Sequence, residues 1–102
     1  NMPIHFTESS GGEFAPDFGG NLRWDVTTLL TRSVRYGSHS VLKWNLALDE
    51  KHGPQNGGCT DCRGIVTLNR TTGKITRNEE FFAFGHVSKF VRPGAKYLAT
   101  PE

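Results

Sequence analysis

Residues 3–44 read PIHFTESSGGEFAPDFGGNLRWDVTTLLTRSVRYGSHSVLKW, and this stretch decides the fold. It opens with apolar, aromatic and β-branched residues that lead into a Ser-Ser-Gly-Gly run, which predicts a strand ending at Glu8. From Asn21 to Gly37, apolar residues recur at spacings of three and four, which predicts an amphipathic helix with Asn21 as its N-cap. Residues 40–44 predict a second strand. Strand, helix and strand in this order predict a parallel crossover unit.

The rest of the chain predicts a long loop, a hairpin and a second helix. Residues 45–64 are rich in Gly, Asp and Asn and are too many for a plain connection, which favours a functional loop. Residues 65–68 and 74–76 predict a hairpin, and a helix is predicted to begin at Asn78. Residues 95–99 predict a further short strand. The buried stripe of the second helix is predicted to contain Phe81, Phe82, Phe84 or Gly85, Val87 and Phe90.

Composition narrows the classes of protein that fit. The 102 residues carry a net charge of +2, with basic residues spread among ten carboxylates rather than clustered, so nucleic acid is not an expected partner. No apolar run approaches the roughly 20 residues of a membrane-spanning helix. Because the chain starts at Asn1 and shows no secretory signal, we expect it to be a fragment of a longer protein.

Three residues are candidates for binding or catalysis. Glu8 lies at the carboxyl end of a predicted strand with small residues after it, where a parallel barrel places catalytic groups. Trp44 offers a broad apolar face for stacking against a sugar ring, and Asn45 offers both a donor and an acceptor for hydroxyls. Taken singly, each has a structural alternative: a solvated strand end, a core tryptophan and a turn residue. Their joint placement favours the functional interpretation.

Two further motifs point to a secreted protein. Cys59 and Cys62 could form half a zinc site, a redox motif or a local disulfide. A zinc site needs four ligands and a thioredoxin-like motif lies between a strand and a helix, so a structural disulfide is favoured and no metal is expected. A disulfide implies an oxidising compartment. Asn69 begins an N-glycosylation triplet in a predicted turn. The four histidines share no spacing, and no role is assigned to them.

Four motifs, taken in order, resemble glycoside hydrolase family 30 and together cover nearly the whole chain. They are HFTES at residues 5–9, WNLALD at residues 44–49, Gly53-Pro54, and GHVSKFVRPG at residues 85–94. The cysteine-containing segment 57–64 is similar to microbial and fungal members that include endo-β-1,6-glucanases. Lysosomal glucosylceramidase resembles the same framework without that segment.

The resemblance implies a (β/α)8 barrel with an attached β-sandwich. Residues 1–94 would form about the seventh and eighth strand-helix units of the barrel, and residues 95–102 would begin the sandwich. Glu8 matches the position of the family's nucleophilic glutamate, whereas the acid/base glutamate after the fourth strand has no counterpart. The chain alone is therefore expected to be inactive. Trp44 and Asn45 would contact the substrate, and no cofactor is expected.

The implied activity of the full-length parent is that of a retaining β-glycosidase acting through a covalent glycosyl-enzyme intermediate. A β-glucan, above all a β-1,6-linked glucan, is the expected substrate, and an extracellular location is favoured over a lysosomal one. Two alternatives stay open: a glucosylceramidase of sphingolipid metabolism, and a noncatalytic carbohydrate-binding remnant. A redox role for the cysteine pair is a more distant third.

Overall fold

The computed structural model describes residues 2–99, and a parallel strand-helix-strand unit forms its first half. Strand β1 spans Ile4–Phe6 and pairs in parallel with β3, Ser38–Val41, so the predicted crossover unit is confirmed. The second strand begins two residues earlier and ends three residues earlier than the predicted range 40–44. Between them the chain forms a short strand, β2, Gly11–Gly12, and then a helix. The helix has three consecutive parts: α1 at Phe18–Trp24, a π-helical part at Asp25–Arg32, and α2 at Ser33–Arg35.

The helix begins four residues earlier than its sequence predicts. Asp17 is the N-cap, and its carboxylate accepts a hydrogen bond from the backbone N–H of Gly20 at 2.9 Å. A Cβ atom at Gly20 would lie 2.5 Å from that carboxylate, so the glycine makes room for the cap. The prediction of Asn21 as the N-cap was wrong because a Gly-Gly pair reads as loop rather than helix. The predicted end is confirmed, since Gly37 adopts a left-handed φ of 93° directly after the helix.

The predicted loop at residues 45–64 contains two strands that the sequence did not reveal. Strand β4, Ala47–Asp49, pairs in parallel with β6, Val66–Leu68. Strand β5, Cys62–Arg63, pairs antiparallel with β2. Both strands are too short to show a period, and their partners are distant in sequence. The predicted hairpin is confirmed, because β6 pairs antiparallel with β7, Ile75–Arg77.

Helix α3 spans Glu79–Ser88, and Asn78 precedes it as predicted. Its buried residues are Glu79, Glu80 and Ala83, so the prediction of an aromatic buried stripe was wrong for the described part of the chain. Phe81 and Phe82 are 39% and 44% exposed. The two glutamates face the interior, where they bind Arg63, so the other side of the helix, with both phenylalanines, faces outward.

The small core lies between the helices and the strands. Its fully buried apolar members are Leu29, Leu30, Leu48, Cys62 and Ala83. The strand predicted at residues 95–99 does not form, and residues 100–102 of the predicted side domain lie outside the described residues. Within residues 2–99, no helix is long and apolar enough to cross a membrane.

Candidate active site

Glu8 lies two residues beyond the end of β1, exposed to solvent, at an edge that the parallel pairing creates. The chain is fixed on both sides of it. Before Glu8, the carbonyl oxygen of Phe6 accepts a hydrogen bond from the N–H of Leu42 at 2.9 Å. After Glu8, the carbonyl oxygen of Ser9 accepts from the N–H of Trp44 at 2.7 Å. The structure therefore brings Glu8 and Trp44 to the same end of neighbouring parallel strands.

Trp44 and Asn45 are both half-buried where the chain leaves β3 and enters the long connection. The peptide bond between them is cis. The carbonyl oxygen of Asn45 accepts a hydrogen bond from the N–H of Ile65 at 2.8 Å, which connects Asn45 to the residue before β6. The side-chain oxygen Oδ1 of Asn45 is buried and has no hydrogen-bond partner among residues 2–99. A buried acceptor without a partner is rare in folded proteins and marks a place where a ligand or a water can bind.

A buried charged cluster lies below the segment that follows Glu8, and sequence reasoning missed it. Arg63 at the end of β5 contacts Glu79 and Glu80 of α3, with Nη2 of Arg63 3.1 Å from Oε1 of Glu80. The three side chains are 11%, 7% and 2% exposed. Asn21 donates to Oε1 of Glu79 at 3.0 Å. Glu13 lies 3.5 Å from Arg63, but its side chain is 55% exposed, so this ion pair contributes little to stability.

A second buried ion pair involves Lys43, the residue before Trp44. The Nζ atom of Lys43 donates to both carboxylate oxygens of Asp25 in the π-helical part, at 2.8 and 3.0 Å. Both side chains are at most 4% exposed. A cavity of about 260 Å³ lies beside this pair and is also lined by Ser10 and Glu80. The pair therefore anchors the residue before Trp44 to the first helix.

Cys59 and Cys62 are joined by a disulfide, with their Cα atoms 5.5 Å apart. Together with Asp61 they form the group of potential metal ligands found among the described residues, but the disulfide removes both thiolates that a zinc ion would need. Cys62 is buried, and its carbonyl oxygen lies 3.0 Å from Nδ1 of His52. The disulfide thus packs onto β5, next to the Arg63 cluster.

The turn after β4 is organised by one carboxylate. Asp49 accepts hydrogen bonds from the backbone N–H groups of Gly53 at 2.7 Å and Lys51 at 2.9 Å. These bonds, that of Gly53 first, hold the pKa of Asp49 below its ordinary value because they favour the ionised form. Glu50 accepts from the N–H of Arg70 at 2.9 Å, and this bond likewise lowers the pKa of Glu50.

Asn69 lies at the start of the turn between β6 and β7. Its side-chain oxygen accepts from the N–H groups of Thr71 at 3.1 Å and Thr72 at 2.8 Å. This Asx-turn leaves the glycosylation triplet at the tip of a hairpin, where Arg70 and Thr71 are exposed.

Comparison with known proteins identifies relatives in sequence and in structure. No family model matches the chain. The endo-1,6-β-D-glucanase neg1 of Aspergillus fumigatus is 39% identical over 60 residues, which are 57% of this chain and 12% of that protein. The endo-1,6-β-D-glucanase BGN16.3 of Trichoderma harzianum is 33% identical over 64 residues, 61% of this chain and 13% of that protein. A Caenorhabditis elegans protein whose name describes it as a glucosylceramidase is 37% identical over 57 residues, 56% of this chain and 11% of that protein.

Two solved structures share the fold over nearly the whole chain. The endo-β1,6-glucanase BT3312 superposes with a TM-score of 0.83 and 30% identity over 96% of this chain and 24% of that one. SrfJ from Salmonella typhimurium superposes with a TM-score of 0.73 and 25% identity over 91% of this chain and 21% of that one. The matched segment thus spans about an eighth of the curated relatives and about a quarter of the solved chains. The resemblance that the sequence motifs predicted is confirmed: in sequence and fold, this chain is similar to part of glycoside hydrolases named as endo-1,6-β-glucanases and glucosylceramidases.

Proposed function

We propose that the chain is the part of a retaining β-glycosidase that supplies the catalytic nucleophile, Glu8. One observation carries the proposal: the parallel pairing of β1 with β3 brings Glu8 beside Trp44 at the edge where both strands end. In α/β proteins, and in (β/α)8 barrels above all, catalytic groups lie at the carboxyl ends of parallel strands. On this proposal, β1 and β3 are the seventh and eighth barrel strands and residues 95–102 lead into a side domain.

The proposed reaction has two steps. In the first, the ionised carboxylate of Glu8 attacks the anomeric carbon, a bond forms between that carbon and the carboxylate oxygen, and the glycosidic bond breaks. The leaving oxygen takes a proton from an acid on the remainder of the barrel, about 5–5.5 Å from Glu8. In the second step the same group removes a proton from water, which displaces Glu8 with retention of configuration. The exposed position of Glu8 leaves it open to substrate.

Trp44 and Asn45 are proposed to bind the reacting sugar. The indole of Trp44 provides an apolar wall for the C–H face of the ring. Asn45 provides an acceptor, Oδ1, that is unpaired among the described residues and that a sugar hydroxyl or an ordered water could satisfy. No metal or organic cofactor enters the proposed steps.

A β-1,6-linked glucan is the proposed substrate. It is supported by the names of two curated relatives and of one solved structure. The connection after Trp44 also fits sugar hydroxyls better than acyl chains, because it is rich in polar residues and carries the disulfide-tied turn before β5. A glucosylceramide is the second candidate and is supported by the relative from Caenorhabditis elegans. The kcat/KM of the complete protein on a β-1,6-glucan oligomer and on glucosylceramide separates the two, and a preference for the lipid would reverse the order.

The nucleophile is tested by Glu8→Gln and Glu8→Ala in the complete protein that contains this sequence. We expect Glu8→Gln to lower kcat by several orders of magnitude without changing the circular dichroism spectrum, because an amide cannot attack the anomeric carbon. We expect azide to restore turnover to Glu8→Ala and to give a glycosyl azide of inverted configuration. Glu13→Gln is the matched control, since Glu13 is an exposed carboxylate five residues away. Activity of Glu8→Gln within a few-fold of the parent would refute the assignment.

A secreted location is part of the proposal, with a lysosomal location as the alternative. A disulfide between Cys59 and Cys62 persists in an oxidising compartment and is reduced in the cytosol.

A further inference from the structure

The residues that follow Glu8 are held on two flanks. On one flank, the N–H of Trp44 binds the carbonyl oxygen of Ser9, and Ser10 forms a bridge with Trp44. On the other flank, Gly11 pairs with Arg63 and Gly12 pairs with Cys62. Residues 9–12 therefore connect the Trp44 edge to the β5 strand without a free turn between them.

Arg63 anchors β5 to helix α3. Its Nε atom lies 3.3 Å from both carboxylate oxygens of Glu80, and its Nη2 atom also contacts Glu79. A planar guanidinium can bind two carboxylates at once, which a lysine ammonium does with less geometric control. Since the two glutamates lie in the first turn of α3, the positive end of the helix dipole also stabilises their charge.

The carboxylate of Glu80 lies directly against the backbone of Gly11. A Cβ atom at Gly11 would be only 1.8 Å from Oε1 of Glu80, so any side chain at this position would collide with the carboxylate. Both Gly11 and Glu80 are buried. The position of the Glu80 carboxylate, which Arg63 fixes, therefore limits where residues 9–12 can lie.

We propose that Arg63 is a positioning residue for the nucleophile: through Glu80 and the β2–β5 pairing it holds residues 9–12, and thereby the orientation of Glu8 relative to Trp44. The inference rests on the proposed role of Glu8. Without Arg63, two buried carboxylates face each other with no cation between them, and their repulsion and rehydration displace the segment that they support.

The expected consequence is a loss of rate rather than of binding. The wall of the sugar site keeps supports outside residues 9–12, because both neighbours of Trp44 are anchored elsewhere. Lys43 binds Asp25, and the carbonyl oxygen of Asn45 accepts from the N–H of Ile65. A misplacement of the nucleophile by about 1 Å costs on the order of 100-fold in rate. We therefore expect Arg63→Met to lower kcat by roughly 30- to 100-fold while KM changes by less than about threefold.

The test compares Arg63→Met, Arg63→Lys and Gly11→Ala in the complete protein, with Arg70→Met as the control. Arg70 is also an arginine paired with a carboxylate, Asp49 at 3.6 Å, but it is 76% exposed and far from residues 9–12 in sequence. We expect Arg63→Lys to recover part of the lost kcat, and Gly11→Ala to lower kcat without removing a charge. Arg70→Met should match the parent. Each variant is compared at a temperature where circular dichroism shows it folded.

An unchanged kcat in folded Arg63→Met would overturn the inference. If that variant does not fold, the same measurement on Arg63→Lys and Gly11→Ala decides, and parental kcat in both would overturn it. A loss confined to KM would also overturn it, since it would place Arg63 in binding. Glu8→Gln measured in parallel separates the two proposals, because retained activity there refutes the nucleophile itself, whatever Arg63 does.

Discussion

Lys43 and Asp25 form a buried ion pair that joins the segment between β3 and Trp44 to the π-helical part of the first helix, with Nζ 2.8 Å from Oδ1. Removing one partner leaves the other charge buried without compensation. We expect Lys43→Met to lower the free energy of unfolding by about 3–5 kcal/mol, and the double variant Lys43→Met/Asp25→Leu to recover most of that loss.

Denaturant unfolding of the complete protein measures this effect. Arg70→Met, which removes one partner of the exposed ion pair with Asp49, serves as the control and should cost no more than about 1 kcal/mol. A Lys43→Met variant as stable as the control would show that the pair is not desolvated.

The turn that Asp49 stabilises should become less stable at low pH. The folded pKa of Asp49 lies below its ordinary value, chiefly because the carboxylate accepts the Gly53 N–H. A carboxyl group whose pKa is depressed by folding stabilises the turn fully when the pH is above the ordinary pKa of that group. The stabilisation is lost as the pH falls through the folded pKa. Carbon NMR of the labelled aspartates, with Asp49→Asn for assignment, should give a midpoint below 3.8. A midpoint at or above that value would contradict the hydrogen-bond geometry.

The disulfide should make a modest contribution to stability. Cys59 and Cys62 close a loop of only a few residues, so the loss of chain entropy on cross-linking is small. We expect Cys59→Ser/Cys62→Ser to lower the free energy of unfolding by roughly 2 kcal/mol. Intact mass of the complete protein, purified without reductant, should rise on alkylation only after reduction. Two thiols that alkylate without reduction, or one equivalent of bound zinc, would refute the bond.

Asn69 should carry an N-linked glycan when the complete protein is secreted from a eukaryotic cell. The triplet that it begins is the single such triplet in the sequence and lies at an exposed hairpin tip. A mass increase removed by peptide N-glycosidase should disappear in Asn69→Gln and in Thr71→Val, and should persist in Asn56→Gln, where no triplet exists. Secretion of fully unmodified protein would contradict the prediction.

The sequence predicted local structure better than long-range structure. Residue type located the strand before Glu8 and the hairpin after residue 64, and apolar spacing located the helix between residues 21 and 37, because these signals come from residues that are close in sequence. It missed β2 and β5, since two glycines and a Cys-Arg pair show no strand pattern until they meet. It also assigned an aromatic buried face to α3, because nothing local indicates that Arg63 draws Glu79 and Glu80 inward.

The same limit applies to the candidate site. The position of Glu8 and Trp44 at one edge follows from the parallel unit and could be predicted. The charged pairs beneath them could not, because Arg63 and Glu80 are separated by 17 residues and Lys43 and Asp25 by 18. Ion pairs at such spacing have no periodic signature, and they become visible only when the fold brings the elements together.

The central claim is that Glu8 forms the covalent intermediate, and trapping that intermediate tests it most directly. A 2-deoxy-2-fluoroglucoside with a good leaving group slows the breakdown of a glycosyl-enzyme, because the fluorine destabilises the oxocarbenium-like transition state. Incubation with the complete protein, followed by proteolysis and mass spectrometry, should give one modified peptide with the sugar on Glu8. A label on a different carboxylate, or turnover that releases the inverted anomer without any label, would contradict the account.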